Sequence, residues 1–299
     1  MTVAIGIDLG GTKTEIVALD EAGGEIVRRR RPSPRGDYDA TLATKASMVR
    51  EVEAELGCEA TIGVGHPGAI SPATGLIKNA NSVWLNDRPL DRDFMARLGR
   101  QVAFANDANC LALSEATDGA GAGADIVFTV ILGTGVGGGI VVGGRVLKGG
   151  NAIAGEWGHN PLPWPNDHER PGPPCYCGKQ GCIETFLSGP GLSRDYAGDR
   201  RLSARSIAQR AAAGEPAADA CLGRYEDRLA RSLANVINII DPEAIVLGGG
   251  LSNIARLYET VPRLWGRYVF SDLVRTRLLA PAHGDSSGAR GAAWLWPAT

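Results

Sequence analysis

The spacing of apolar residues along the chain predicts two similar strand–turn–strand units. Residues 3–9 form an apolar run that ends at Gly10-Gly11-Thr12, and residues 15–19 form an apolar return. Residues 126–132 run in the same way into Gly133-Thr134-Gly135, after which residues 139–142 return. Short apolar runs on either side of a glycine turn are typical of β-hairpins. Because the two units lie about 120 residues apart, the pattern predicts a duplicated fold with two related lobes.

Between the two hairpin units, the pattern of apolar residues predicts further strands and helices, with polar residues at the end of one strand. Helical spacing over residues 41–56 and a short apolar run over residues 62–65 indicate a helix and a buried strand. Residues 102–105 read as another strand, with Asn106-Asp107 at its carboxyl end and a helix over residues 108–115 behind it. In open α/β sheets, ligands bind at the carboxyl ends of the strands. Asn106 and Asp107 are therefore candidate site residues.

The second half of the chain combines an irregular segment with a long helix. Residues 160–174 carry six prolines and no regular periodicity, which predicts a loop. An apolar face over residues 225–240 predicts an amphipathic helix that ends at Asp241-Pro242. We expect a strand over residues 244–247 and then a glycine turn, with Ser252 as the cap of another helix.

Composition limits the kinds of protein to which the chain belongs. Its 299 residues suffice for one large domain or two lobes, and 44% hydrophobic with 21% charged residues is typical of globular proteins. The balance of 31 basic against 33 acidic residues provides no field for holding nucleic acid. No apolar run approaches the roughly 20 residues that cross a bilayer, and residues 2–8 do not resemble a signal peptide. We expect a cytoplasmic protein with no membrane partner.

Three glycine turns are candidate phosphate-binding or nucleotide-binding segments. The first places Asp8, Gly10, Gly11, Thr12 and Lys13 together, so that backbone amides, a hydroxyl and an ammonium group can approach phosphate oxygens. The second offers Thr134 and Gly135, and the third offers Gly248 and Gly249 after a buried strand. A plain turn remains the alternative for each. Neither a Walker pattern nor a dinucleotide-binding glycine fingerprint is present, which disfavours P-loop enzymes and dinucleotide oxidoreductases.

Four residues match the ligands of a structural zinc site. Cys175, Cys177 and Cys182 lie within eight residues of one another, and His159 precedes them. Three thiolates and one imidazole complete a tetrahedral Zn²⁺ site, which leaves no position for a reactive water molecule. A redox thiol or a chance cluster is the alternative. Zinc would order an otherwise irregular loop.

Carboxylates near these motifs are candidates for sugar binding and catalysis. Glu156 precedes His159 by three residues and Glu184 follows Cys182 by two, so that the metal would anchor both carboxylates. Charged acceptors in fixed directions recognise sugar hydroxyls. Asp107 would accept the proton of a hydroxyl that attacks a terminal phosphoryl group. The alternatives are solvated surface glutamates and an aspartate that caps a helix.

Taken together, these motifs resemble those of the ROK family (repressors, uncharacterised reading frames and sugar kinases), and most closely its bacterial fructokinase/mannokinase branch. The resemblance spans essentially the whole chain and includes Gly65-His66-Pro67-Gly68 and Asn79-Ala80-Asn81. It implies an actin-like, ribonuclease H-like and hexokinase-type pair of α/β lobes that closes over a sugar and Mg-ATP. The lobes expected are residues 1–107 with a C-terminal helix at about 285–299, and residues 108–284 with the zinc loop.

The resemblance also implies roles for individual residues. It makes Asp107 the catalytic base. The sugar-binding residues would be Asn81, Asn106, Asp107, Glu156, His159 and Glu184. Mg-ATP would be held by Asp8, Gly10, Gly11, Thr12, Lys13, Thr134, Gly135, Gly248 and Gly249. His159 would use one ring nitrogen for zinc and the other for the sugar.

The expected activity is ATP-dependent phosphorylation of a hexose, with fructose as substrate and fructose 6-phosphate as product. Residues 158–164 and 283–288 carry the likeness to the fructokinase branch, and His66 departs from an apolar residue in many relatives. Mannose, glucose or N-acetylhexosamine are the alternative substrates, and a non-catalytic sugar sensor or an actin-like ATPase are alternative classes. Asp8 stands too early for a preceding DNA-binding domain, and the family resemblance implies a homodimer.

Overall fold

The computed structural model of the chain describes residues 3–196, 202–284 and 287–296. The chain divides into two compact units. The first consists of residues 1–123, 144–154 and 282–299, and the second of residues 124–143 and 155–281. No helix among the described residues has the length and apolar character needed to cross a membrane.

Both units contain strands and helices. The strands are β1 (Ala4–Leu9), β2 (Lys13–Leu19), β3 (Glu25–Pro32), β4 (Thr61–His66), β5 (Ala69–Ile70), β6 (Ile77–Lys78), β7 (Ala103–Asn106), β8 (Ile126–Leu132), β9 (Val136–Val142), β10 (Arg145–Val146), β11 (Ala244–Gly248) and β12 (Arg277–Leu279). The helices are α1 (Tyr38–Leu56), α2 (Leu90–Leu98), α3 (Asp107–Thr117), α4 (Ile183–Leu187), α5 (Gly189–Asp195), α6 (Ala204–Ala212), α7 (Pro216–Ile240), α8 (Leu257–Trp265) and α9 (Ser287–Ala293).

The same strand topology occurs in each unit. In the first sheet the order is β3-β2-β1-β4-β7, with β1 antiparallel to β2 and parallel to β4. In the second unit β9, β8, β11 and β12 lie side by side in that order, with β8 antiparallel to β9 and parallel to β11. The two predicted hairpins are therefore the first two strands of each repeat, and the duplicated α/β fold is present.

Two local predictions differ from the structure. Ser252 does not cap a helix: it lies in the 3₁₀ turn Gly250–Asn253, and its hydroxyl donates to the Gly249 carbonyl over 2.7 Å. Helix α8 begins only at Leu257, because Ser252 uses its hydroxyl within the glycine turn instead. The long helix α7 begins at Pro216, nine residues before the predicted start, since its first nine residues are mostly alanine and other small residues, which give a weak apolar period.

Close backbone contact attaches helix α9 to the first sheet. A Cβ atom on Gly6 would lie 1.9 Å from the Ala289 carbonyl oxygen, and one on Gly63 would lie 1.8 Å from that of Ala292. Buried Glu115 on α3 accepts hydrogen bonds from Ala282 N–H and from the Ser287 hydroxyl. The C-terminal segment therefore packs in the first unit. Asp285 and Ser286 of the predicted segment lie outside the described residues, and the predicted boundary between residues 107 and 108 stays a prediction.

Replacing Gly63 with alanine tests this packing. The new methyl group overlaps the backbone of α9, so we expect Gly63→Ala to lower the free energy of unfolding by at least about 2 kcal/mol. Gly223→Ala is the matched control, because Gly223 lies inside α7 with no atom within 4 Å of the added methyl. The control should raise stability by about 0.5–1 kcal/mol. Denaturant titration of both variants measures the difference, and wild-type stability in Gly63→Ala would contradict the packing.

Candidate active site

The first glycine turn connects β1 to β2 and is braced from the chain that follows β3. The Ser33 hydroxyl donates to the Gly10 carbonyl over 2.6 Å, and the Ser33 N–H donates to the Thr12 carbonyl over 3.0 Å. A Cβ atom on Gly10 would lie 2.6 Å from the Lys13 carbonyl oxygen, so the turn requires glycine there. The Thr12 side chain is exposed, where it can meet a ligand.

Asp8, at the end of β1, lies in a group of interacting charges. Burial, with a smaller effect of the nearby carboxylates of Asp107 and Glu15, raises the pKa of Asp8 to about 7, although Lys13 and Lys45 oppose the shift. Lys45 is only 1% exposed on α1, and burial lowers its pKa to about 8. At neutral pH the Asp8 carboxyl therefore exchanges readily between its charged and neutral forms.

Asn106 and Asp107 lie where β7 passes into α3. Asn106 is the N-cap, since its side-chain oxygen accepts from Ala108 N–H over 2.8 Å, and its amide nitrogen donates to the Gly68 carbonyl over 2.8 Å. The Asp107 carboxylate accepts from the same Ala108 N–H over 2.8 Å, so Asp107 also contributes to the start of α3. Asp107 is close enough to Asp8 to act on it electrostatically.

Asn81 and His66 occupy different environments in the first unit. Asn81 is exposed, and the Ser82 hydroxyl lies 3.5 Å from its side-chain oxygen. His66 is buried at the end of β4, against Phe104, and burial lowers its pKa. His66 is therefore a neutral packing residue in this structure.

The second glycine turn, between β8 and β9, is joined directly to Glu184. The Glu184 carboxylate accepts the N–H of Val136 over 2.9 Å. A Cβ atom on Gly135 would lie 2.7 Å from the same carboxylate, and the Thr134 side chain is exposed at the tip. A predicted sugar-binding carboxylate and a predicted phosphate-binding turn are thus in contact within the second unit.

The third glycine turn packs against the second. Gly249 has a φ of +81°, and a Cβ atom on it would lie 2.4 Å from the Leu132 carbonyl oxygen. Gly248 ends the buried strand β11, which runs parallel to β8. Gly249 permits both the left-handed conformation and the close approach. The candidate nucleotide-binding residues of the second unit therefore lie on adjacent strand ends.

The cysteines and His159 form a compact cluster. Their donor atoms all lie within 4.8 Å of one another, with Cys175 Sγ 3.5 Å from His159 Nδ1 and Cys177 Sγ 3.6 Å from Cys182 Sγ. The ligands of a tetrahedral zinc with 2.3 Å bonds to sulfur lie roughly 3.8 Å apart, so the arrangement fits Zn²⁺. Burial raises the pKa of the Cys175 thiol and raises that of Cys182 to about 12, whereas the Lys179 N–H lowers that of Cys177.

Tyr176 is a residue of this cluster that sequence reasoning missed. Its hydroxyl lies 3.0 Å from His159 Nε2, and the two rings meet edge to face. Burial raises the pKa of Tyr176 to about 12, and the carboxylates of Glu184 and Glu156 add to the shift. The phenol is therefore neutral at physiological pH. The only available signal was an aromatic residue placed between two cysteines.

The proline-rich loop is held by a buried ion-pair network. Glu169 accepts hydrogen bonds from Arg228 over 2.7 Å and from Arg231 over 3.0 Å. Although burial opposes ionisation, these bonds lower the pKa of Glu169 to about 2. Arg231 also donates to the carbonyls of Pro163 and Trp164. Both arginines belong to α7, so the network attaches the loop to the helix behind it.

The structure brings the predicted residues together in groups within each unit. The first unit gathers Asp8 and Asp107, with Lys45 as an additional buried residue. The second unit gathers Glu184 with Val136, and Glu156 and His159 with Tyr176. Lys45 was not singled out from the sequence, although its spacing was a signal. Lys45 lies four residues after Thr41 and four before Val49, which places it on the buried face of α1.

Comparison with known proteins identifies the family. A sequence profile of the ROK family matches residues 4–299. The chain is 39% identical over 296 residues to the N-acetyl-D-glucosamine kinase of Photobacterium profundum, covering 97% of this chain and 98% of that protein. The chain therefore belongs to the ROK family.

Solved structures agree with this assignment. The ROK hexokinase from Thermus thermophilus superposes with a TM-score of 0.86 at 30% identity, covering 98% of this chain and 97% of that chain. A ROK glucokinase from Streptomyces griseus, solved with glucose and AMPPNP, gives 0.77 at 27% identity, covering 97% and 98%. The predicted actin-like, hexokinase-type fold is confirmed, and so is the predicted enzyme class, an ATP-dependent sugar kinase that uses Mg-ATP.

The burial of Asp8 predicts a pH-dependent cost to stability. The pKa of Asp8 rises from 3.8 to about 7 on folding, because the folded protein disfavours the charged carboxylate. The free energy of unfolding therefore decreases as the pH rises through that range. Asp8→Asn cannot ionise. We therefore expect its stability advantage over the wild type to grow by roughly 2–3 kcal/mol from pH 5 to pH 8.

Denaturant unfolding at several pH values, without magnesium or nucleotide, measures this advantage. Asp39→Asn is the control, because its side chain is 87% exposed in the same unit. Its difference from the wild type should stay constant with pH. An equally constant difference for Asp8→Asn would contradict the raised pKa.

Proposed function

We propose that this protein transfers the γ-phosphoryl group of Mg-ATP to a hydroxyl of a free hexose, with fructose as the first candidate. The observation that carries the proposal is the hydrogen bond between the Glu184 carboxylate and Val136 N–H. It joins a sugar-binding group to the turn that would bind phosphate, which is the proximity that phosphoryl transfer to a sugar requires.

In the proposed mechanism Asp107 removes the proton from the attacking hydroxyl group. The hydroxyl oxygen then forms a bond to the γ-phosphorus, the bond from that phosphorus to the bridging oxygen breaks, and ADP leaves. Asn81, Asn106, Glu156, His159 and Glu184 would bind and orient the sugar. The hydrogen bonds of Asn106 to Ala108 and Gly68 support its role as a rigid partner.

The charges around Asp8 fit the binding of Mg-ATP. The Asp8 and Asp107 carboxylates lie close enough to interact, and Mg²⁺ prefers oxygen ligands of this kind. When bound, the ion would neutralise charge that develops on the phosphates. The backbone of Gly10, Gly11, Gly135, Gly248 and Gly249, with the side chains of Thr12, Lys13 and Thr134, would hold the nucleotide.

We further propose that His159, Cys175, Cys177 and Cys182 bind a structural zinc ion. The donor distances support this role, and four protein ligands leave no open position for catalysis. Zinc would fix the loop that carries Glu156 and the start of α4, which carries Glu184. A homodimer also stays a proposal, supported by the family resemblance alone.

Two substrates have specific support. The likeness of residues 158–164 and 283–288 to the fructokinase branch favours fructose. The 39% identity to an N-acetyl-D-glucosamine kinase favours N-acetylglucosamine as the second candidate.

The substrate assignment predicts the outcome of a kinase assay with several sugars. We expect ADP release from Mg-ATP to have the highest kcat/KM with fructose, compared with mannose, glucose and N-acetylglucosamine. Asp107→Asn should lower kcat by about 10²- to 10⁴-fold while sugar binding persists, because the base alone is removed. The exposed Asp39→Asn is the matched control and should retain wild-type rates.

Each contrary result has a distinct meaning. A higher kcat/KM with N-acetylglucosamine would replace fructose by the second candidate. Full activity in Asp107→Asn would remove Asp107 from the mechanism. Saturable sugar binding without ADP release would indicate a sensor, and ADP release that needs no sugar would indicate an ATPase.

The zinc assignment predicts a loss of metal in a single variant. Cys177→Ser removes one of four ligands, so we expect the bound zinc per chain and the melting temperature both to fall. Cys58→Ser is the control, because Cys58 lies outside the cluster and is only partly buried. Elemental analysis of the purified proteins, with thermal unfolding, measures both effects. One zinc per chain in Cys177→Ser would contradict the assignment.

A further inference from the structure

Tyr176 occupies the side of His159 that faces away from the cysteine cluster. His159 Nδ1 lies 3.5 Å from Cys175 Sγ, whereas His159 Nε2 lies 3.0 Å from the Tyr176 hydroxyl. The ring centroids are 5.1 Å apart in an edge-to-face arrangement. The two nitrogens of one ring therefore have two different partners.

This geometry assigns a direction to the hydrogen bond. An imidazole that binds a metal through Nδ1 carries its proton on Nε2. His159 Nε2–H then donates, and the Tyr176 oxygen accepts. A single N–H makes one strong hydrogen bond, so a second acceptor at this position must compete with the phenol.

The surroundings of the phenol are those proposed to recognise sugar hydroxyls. Glu184 and Glu156 are both close enough to act electrostatically on the Tyr176 hydroxyl. Glu156, His159 and Glu184 are the second unit's proposed sugar contacts. The Tyr176 hydroxyl thus lies close to all three of these proposed sugar contacts.

We propose that Tyr176 is a specificity-determining residue whose phenol holds His159 Nε2–H until a sugar hydroxyl replaces it. The inference rests on the proposed function, since it requires a sugar that binds at His159. Tyr176 is 80% exposed, so the only ring contact that its side chain loses on leaving, among the described residues, is that with His159. A sugar with a correctly placed hydroxyl restores the hydrogen bond, whereas one without it gains nothing from displacing the phenol.

Removal of the phenol oxygen tests the competition. In Tyr176→Phe nothing in the chain competes for Nε2–H, so the dissociation constant of the preferred sugar should fall about 2- to 10-fold, the effect of one net hydrogen bond. The zinc content should stay that of the wild type, because the phenol is not one of the four proposed zinc ligands. Tyr268→Phe is the matched control, because its phenol donates to Asp227 outside the cluster.

Monodeoxy sugars identify the hydroxyl that replaces the phenol. The wild type and Tyr176→Phe are each titrated calorimetrically, without nucleotide, with every monodeoxy analogue of the preferred sugar. Tyr176→Phe should bind all but one of these analogues more tightly than the wild type does. The exception lacks the hydroxyl that accepts from Nε2. A merely structural role for Tyr176 would alter affinity equally for every analogue.

The outcomes separate this inference from the proposed function. Unchanged or weaker sugar binding in Tyr176→Phe overturns the competition while the kinase assignment stands. An unaltered gain across the whole analogue series also overturns it. Sugar binding with the expected gain but without phosphorylation would overturn the kinase assignment alone. If no sugar binds to the wild-type protein, both are overturned.

Discussion

The hydrogen bond from Val136 N–H to the Glu184 carboxylate fixes the position of Glu184 relative to the second glycine turn. It connects the turn between β8 and β9 with the first residues of α4, which are distant in sequence. Bonds to a charged acceptor are roughly twice as strong as neutral ones. The bond also explains Gly135, because a side chain there would overlap the carboxylate. Gly135 is thus required by a protein contact, whatever it contributes to phosphate binding.

The irregular loop before α4 depends on further anchors that serve the same carboxylate. Trp157 donates from its ring nitrogen to the Gly137 carbonyl over 2.9 Å, which fastens the start of the loop to β9. Glu169, bonded to Arg228 and Arg231, fastens its middle to α7. The zinc ion proposed at the cysteine cluster would fasten its end, immediately before Glu184. A segment without regular secondary structure is therefore held at two points by hydrogen bonds, and the proposed metal would add a third, as a precise binding site requires.

The repeated hairpins and the clustering of His159 with three cysteines could be predicted from the sequence, because both follow from short sequence patterns. The four donors of the cluster lie together as the spacing of His159 and the cysteines indicated. Contacts between distant residues carried no such signal, which is why the bond of Glu184 to Val136 and that of Tyr176 to His159 were missed. The prediction that Ser252 caps a helix was wrong for a related reason. The Ser252 hydroxyl donates to the Gly249 carbonyl, and whether this bond can form depends on the conformation of the turn, which the sequence does not reveal.

The first unit concentrates like charges where a fold built for stability alone would avoid them. Asp8, Asp107 and Glu15 interact unfavourably, and Glu15 is bonded to Arg30 over 2.7 Å while Lys45 is buried on the opposite element. Burial of Lys45 lowers its pKa, so the protein's own cation is itself costly to keep charged. Because Lys13, Lys45 and Arg30 face the three carboxylates, the cost of this group lies in the burial of Asp8 and Lys45 rather than in an excess of one charge. Buried ionisable groups with shifted pKa values are typical of functional sites, and this group includes the residues proposed to hold Mg-ATP.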